Sequence, residues 1–201
     1  MKRLIFFLII VLSIAGLAHA QLANMNATYG VGYGFYSYTE TDGVLNATTS
    51  MQGPELLVGN FIGEELGFYQ RALIGLVTGI SFTVDDGTTR QSSEPLQTDG
   101  SIVYNLFQLG PGYRLPVDET SSVLLSVGPS VTSALSLSTD FTFATMSLGV
   151  GADVQFEYTI GGSFKIAAGM GLNYDFYEIL STFATDFVSA VGISPWIGFG
   201  Y

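Results

Sequence analysis

From Ala144 to Tyr158 the chain reads Ala-Thr-Met-Ser-Leu-Gly-Val-Gly-Ala-Asp-Val-Gln-Phe-Glu-Tyr. The even positions (Ala144, Met146, Leu148, Val150, Ala152, Val154, Phe156, Tyr158) are apolar, and the odd ones (Thr145, Ser147, Gly149, Gly151, Asp153, Gln155, Glu157) are polar or tiny. A period of two belongs to an extended strand with two unlike faces. The runs on either side repeat it. Val123, Leu125, Val127, Val131, Leu135 and Leu137 share one parity. Phe164, Ile166, Ala168, Met170, Leu172, Tyr174 and Phe176 alternate with Lys165, Gly169, Gly171, Asn173 and Asp175. Phe187, Val191, Ile193, Ile197, Phe199 and Tyr201 form the apolar row of a final strand. Phe68 to Val84 and Ala27 to Tyr38 read the same way, with Tyr29, Val31, Tyr33 and Phe35 outward in the first. Parity is mixed over 54–62 and 101–106, although Phe107, Leu109 and Tyr113 set the odd face outward further along.

Composition decides what this greasy face meets. Of 201 residues 48% are hydrophobic and only 11% charged, too apolar for an acidic disordered tail and too poor in charge for an ordinary soluble domain. Beyond the first twenty residues there is no apolar run of the length a membrane helix needs. The remaining lipid-spanning solution is a closed barrel. Eight strands are expected, at about 23 residues for each strand and its connection. Connections 39–53, 85–99 and 178–186 read as long and polar, and 63–66, 115–120 and 159–162 as short, the asymmetry of outer loops and periplasmic turns. The connection around Ser138 to Asp140 is tight and departs from it.

Lys2 and Arg3, the apolar stretch Leu4–Leu17 and Ala18-His19-Ala20 read as a secretory signal over residues 1–20, followed by one barrel domain over 21–201. That domain carries Arg71, Arg90, Arg114 and Lys165 against 17 acidic residues, a net charge of −13, which argues against nucleic acid as a partner. It has neither Cys nor His, so disulfides and imidazole chemistry are absent.

The chain stops on Tyr201, with Phe199 and Ile197 before it on the same parity. Together with the signal and the strand count, this ending resembles the small eight-stranded outer-membrane barrels, the OmpA membrane domain, OmpX and OmpW groups. The resemblance implies an all-β, antiparallel up-and-down transmembrane barrel in the outer membrane of a Gram-negative-type bacterium. It also implies that Ile197, Phe199 and Tyr201 form the assembly signal read by the barrel assembly machinery. The sequence departs from full-length OmpA-like proteins in its glycine content and in lacking a peptidoglycan-anchoring domain after the barrel, so that role is not expected to carry over.

The inward parity holds Arg71, Arg114, Asp153, Glu157, Lys165 and Asp175, which are expected to pair because a lone charge there is expensive. A hairpin register setting Glu157 opposite Lys165 satisfies the alternation. Fifteen strand glycines, from Gly30 to Gly200 and including Gly79, fall on the same parity. They either let a small barrel close around large inward side chains such as Trp196, or leave a thin pore. Aromatic residues near strand ends, Tyr36, Tyr38 and Tyr69 among them, read as a headgroup girdle, with a ligand-stacking surface as the alternative.

Enzymatic activity is not expected, since no imidazole is present to activate the many serines. No cofactor and no metal site is expected. The acidic outer positions (Glu40, Asp42, Asp85, Asp86, Glu94, Asp99, Asp140, Glu178, Asp186) read as a solvated surface rather than a calcium site. The expected partners are outer-membrane lipid, the assembly machinery and a host or environmental ligand at the outer loops. Three roles follow: a structural or surface-interaction barrel, a narrow porin-like channel for small or apolar solutes, and a secreted lipocalin-like barrel with its greasy face inward.

Overall fold

The long alternating runs form strands because each can give one face to apolar surroundings while its backbone pairs laterally on both edges. The computed structural model describes residues 26–86, 89–92, 96–136, 144–181 and 186–201. Its strands are β1 (Asn26–Thr41), β2 (Asn46–Gly63), β3 (Leu66–Asp85), β4 (Arg90–Ser92), β5 (Leu96–Pro116), β6 (Ser121–Ser136), β7 (Ala144–Ile160), β8 (Phe164–Ser181) and β9 (Asp186–Gly200). Among the described residues, eight of them pair antiparallel with their neighbours, and β9 on β1 completes the ring. The short β4 adds only to β3.

One end carries the short turns 64–65, 117–120 and 161–163 together with Asn26 and Tyr201. The opposite end departs from expectation. The 39–53 segment is a hairpin whose strands pair up to Thr41↔Asn46, leaving a four-residue turn. Asp42 Oδ1 accepts from the Val44 and Leu45 amides at 2.9 and 2.8 Å, and Gly43 takes φ 89°, where a side chain would be strained. β8 likewise continues to Ser181, and β4 occupies part of 85–99. The Ser138–Asp140 connection, Phe141 to Phe143 and the signal segment lie outside the described residues.

Strands β2, β3 and β5 have 18, 20 and 21 residues. At a barrel tilt they rise about 45 Å or more, well beyond the roughly 25 Å apolar band of such barrels. On β1 the outward row changes from Tyr29, Val31, Tyr33 and Phe35 to Ser37 and Thr39, so the wall leaves hydrocarbon at that level.

Mixed parity at 54–62 and 101–106 has a simple cause: the lumen there is itself partly apolar. Leu57, Phe61, Ile102, Tyr104 and Leu106 point inward and are buried. Bulges also exchange faces. Phe187 turns inward against Tyr38 at 5.2 Å because the β1–β9 register shifts between Thr39 and Glu40. Gly79 falls opposite Gln52 on the outer row, because β2 and β3 shift between Gln52 and Glu55. Tyr36, Tyr38 and Tyr69 are interior rather than girdle residues, their hydroxyls bonded to carboxylates inside the barrel.

Candidate functional site: a filled lumen

The inward rows meet in layers. At the turn end, Glu157 gathers Arg114 Nε at 3.1 Å and Lys165 Nζ at 3.6 Å, with Ser122 Oγ donating at 3.0 Å and Gln155 Nε2 at 2.7 Å. Lys165 also donates to Asn26 at 3.0 Å, and the Arg114 guanidinium lies 4.5 Å above the Phe61 ring. The observed hairpin pairs Thr159 with Lys165 and Glu157 with Ala167, not Glu157 with Lys165. This register keeps Ile160 in the outward row opposite Phe164 and assigns the turn to Gly161 and Gly162, at φ 63° and 92°. Lys165 reaches Glu157 diagonally along the same inner face.

Further in, Arg71 is 1% exposed and pairs with Asp153 at 3.4 Å. Next, Glu55 accepts from the Tyr104 hydroxyl and from Ser194 at 3.1 Å. Asp175 stands in a nest of neutral donors: Tyr36 at 2.8 Å, Ser147 at 2.7 Å, Thr132 at 3.3 Å and the Asn173 amide at 2.5 Å. Arg71, Arg114, Asp153, Glu157, Lys165 and Asp175 thus all face the lumen, but they form two ion-paired groups and one carboxylate held by hydroxyls, not a single cluster. The sequence reading missed Glu55 because its segment had no clear parity. It also assigned Glu178 to a loop, whereas bulges in β8 turn it inward onto the Tyr38 hydroxyl.

Apolar side chains alternate with these polar layers. Tyr36, Met51, Leu73, Val77, Ile80 and Ile102 form part of one buried cluster toward the loop end, and Phe61, Tyr69 and Leu124 another toward the turn end. The glycines are the seats that admit such bulk. A Cβ at Gly169 would come 2.6 Å from the Trp196 ring, and one at Gly171 would meet the Arg71 guanidinium. The space left among Glu55, Arg71, Tyr104 and Asn173 is about 10 Å³, room for one water molecule at most.

Outside, Val31, Leu56 and Ile197 are 55%, 66% and 64% exposed, within a band of similar residues around the wall. Bare to water, such a surface is far larger than monomeric soluble proteins carry. The fold therefore defines a membrane-spanning β-barrel, and the lipocalin-like arrangement, which needs the greasy face inward, is overturned.

No protein-family model and no curated protein matches the chain. Among solved structures it is similar to Ail, the attachment invasion locus protein of Yersinia pestis, solved with the heparin analogue sucrose octasulfate, at 12% identity over 89% of this chain and 100% of that one, TM-score 0.43. It is similar to Neisserial surface protein A at 11% identity over 87% and 97%, TM-score 0.49. It also matches the outer membrane protease OmpT of Escherichia coli at 8% identity over 88% and 96%, TM-score 0.48. Such likeness concerns the barrel alone, and barrels this distant differ in what they do.

Proposed function

We propose that this protein is an integral outer-membrane barrel with a structural or surface-interaction role, its wall raising the loop end above the bilayer. One observation carries the reading: the lumen is filled, with apolar clusters alternating along it with paired and hydroxyl-bonded charges. Water and ions need a continuous wetted path, and about 10 Å³ among the central residues supplies none. Residues 1–20 act as the export signal, and Ile197, Phe199 and Tyr201 as the mark for assembly. A polyanion such as a sulfated sugar suits this chain poorly, since residues 21–201 carry a net charge of −13.

The test is planar-bilayer recording on protein whose folding is verified by heat-modifiable gel migration. Folded barrel is expected to insert without discrete openings. Reproducible unitary steps from that sample would overturn the sealed-lumen reading and favour the narrow channel.

A further inference from the structure

The wall formed by β9, β1, β2 and β3 is not smooth. Where the β2–β3 register shifts, Gly79 leaves the outer row without a side chain opposite Gln52. Gly53 beside it lies so close to the Leu76 carbonyl that any Cβ would strike it. The result is an outward groove of about 290 Å³. Toward β9 its lining is apolar, from Phe35, Val191 and Ile193, and from Ser37 across β2 and β3 it is polar, from Ser50, Gln52 and Ser81.

That polar side belongs to an ordered hydroxyl array. Ser37, Ser50 and Ser81 are cross-strand partners, and one step higher so are Thr39, Thr48, Thr83 and Ser92. Ser37 and Ser50 bond each other at 3.1 Å, Thr39 and Thr48 at 3.0 Å, and Thr83 and Ser92 at 3.2 Å. The Ser37–Ser50 and Thr39–Thr48 pairs each use one donor and one acceptor and keep one O–H and several lone pairs for an external group. Below the groove, the same strands continue into a wholly lipid-facing trough of about 550 Å³ along Val31, Leu56 and Ile197.

We propose that this groove seats one bilayer lipid with an uncharged, polyhydroxylated sugar headgroup, its acyl chain following the trough and its sugar hydroxyls meeting Ser37, Ser50, Gln52 and Ser81. The proposal rests on the membrane-spanning reading. Two features choose the occupant. The seat is continuous with the lipid-facing band, at the level where apolar side chains give way to hydroxyls. Among the described residues its lining holds neither Lys nor Arg, the groups that recognise a phosphate, whereas neutral hydroxyls and an amide match a sugar in both donors and acceptors.

The test uses phosphatidylcholine nanodiscs holding the barrel and a minor fraction of nitroxide-labelled lipid, either digalactosyl diacylglycerol or phosphatidylcholine with the same labelled chain. Paramagnetic broadening of the Ser37, Ser50 and Ser81 amides is compared with that of Leu125 and Val127 on the opposite wall. The galactolipid is expected to be enriched at the groove about two- to tenfold, the worth of a net neutral hydrogen bond or so, while labelled phosphatidylcholine broadens both walls alike. Ser50→Val with Ser81→Val should abolish the enrichment. Gln52→Ala, a milder change on the outer surface, should reduce it if the double variant fails to fold. Equal enrichment of both lipids, or enrichment unchanged in the folded variants, would overturn the proposal. Absence of broadening at Leu125 and Val127 by either lipid would instead overturn the membrane-spanning reading.

Discussion

Replacing Glu157 by Gln removes one charge and leaves two cations behind. The carboxylate accepts from Arg114, Ser122 and Gln155 and is ion-paired with Lys165 at 3.6 Å, while Arg114 and Lys165 have side chains only 14% and 16% exposed. Removing one partner of a buried pair costs about 3–5 kcal/mol, because the remaining charge stays desolvated. The slight exposure of both cations places this case near the lower end, about 3 kcal/mol. A glutamine also turns an NH2 toward donors that need an acceptor, so shape is preserved and the polar match is not. Lys165→Gln alone should cost about 1 kcal/mol, since Glu157 retains Arg114. The double variant should be less destabilised than the two costs added, by roughly 1 kcal/mol, because one stranded cation has gone with its partner. The assay is urea unfolding of the reconstituted barrel, followed by the heat-modifiable gel shift and by Trp196 fluorescence. A loss below about 0.5 kcal/mol for Glu157→Gln, or strict additivity in the double variant, would refute the view that this layer is held by charge pairing.

Trp196→Ala should lower stability by about 3–5 kcal/mol, since the ring fills the space over Gly30 and Gly169; urea midpoints read it, and an unchanged midpoint would mean the ring is not packed. Gly162→Ala should cost about 1 kcal/mol, because its φ of 92° disfavours any side chain; the same unfolding curve checks it. Asp118 caps the 117–120 turn, and its carboxyl is held below the usual range first by the Thr120 backbone amide, then by the Thr120 hydroxyl and Ser121. Its folded value is depressed, so the turn's stabilisation is present above the unfolded carboxylate pKa and fades as pH falls through the folded value. A carbonyl NMR titration should give Asp118 a midpoint below that of an unstructured Asp, and a midpoint at or above it would refute the cap.

The three periodic strands from Ser121 onward and the one ending at Tyr201 were legible from sequence because lipid imposes a one-sided rule. Within the hydrocarbon the outward residues are apolar, and the inner face is left free to be polar or tiny. The same rule gave the inward positions of Arg71, Asp153 and Glu157. It failed at β2 and the start of β5, where Leu57, Phe61 and Leu106 line the lumen and both faces are greasy. It failed again wherever a bulge exchanged the faces, which concealed Phe187, Glu178 and Gly79. Turn placement was correct where glycine dictated it and wrong at 39–53, where hydroxyl residues that read as loop pair as strand.

Sequence alone determined that the chain is a barrel, which face meets hydrocarbon, and that large inward side chains must share the interior with glycines. Tertiary structure decided which charge meets which: Arg71 with Asp153, Lys165 with Glu157 across a diagonal, Asp175 with hydroxyls in place of a cation. It also decided which side chains fill the lumen between the described strands. The physical reason is that alternation is a property of one strand and survives any register, whereas pairing and filling depend on strand offsets and bulges, each of which moves a side chain by several ångströms relative to its neighbours.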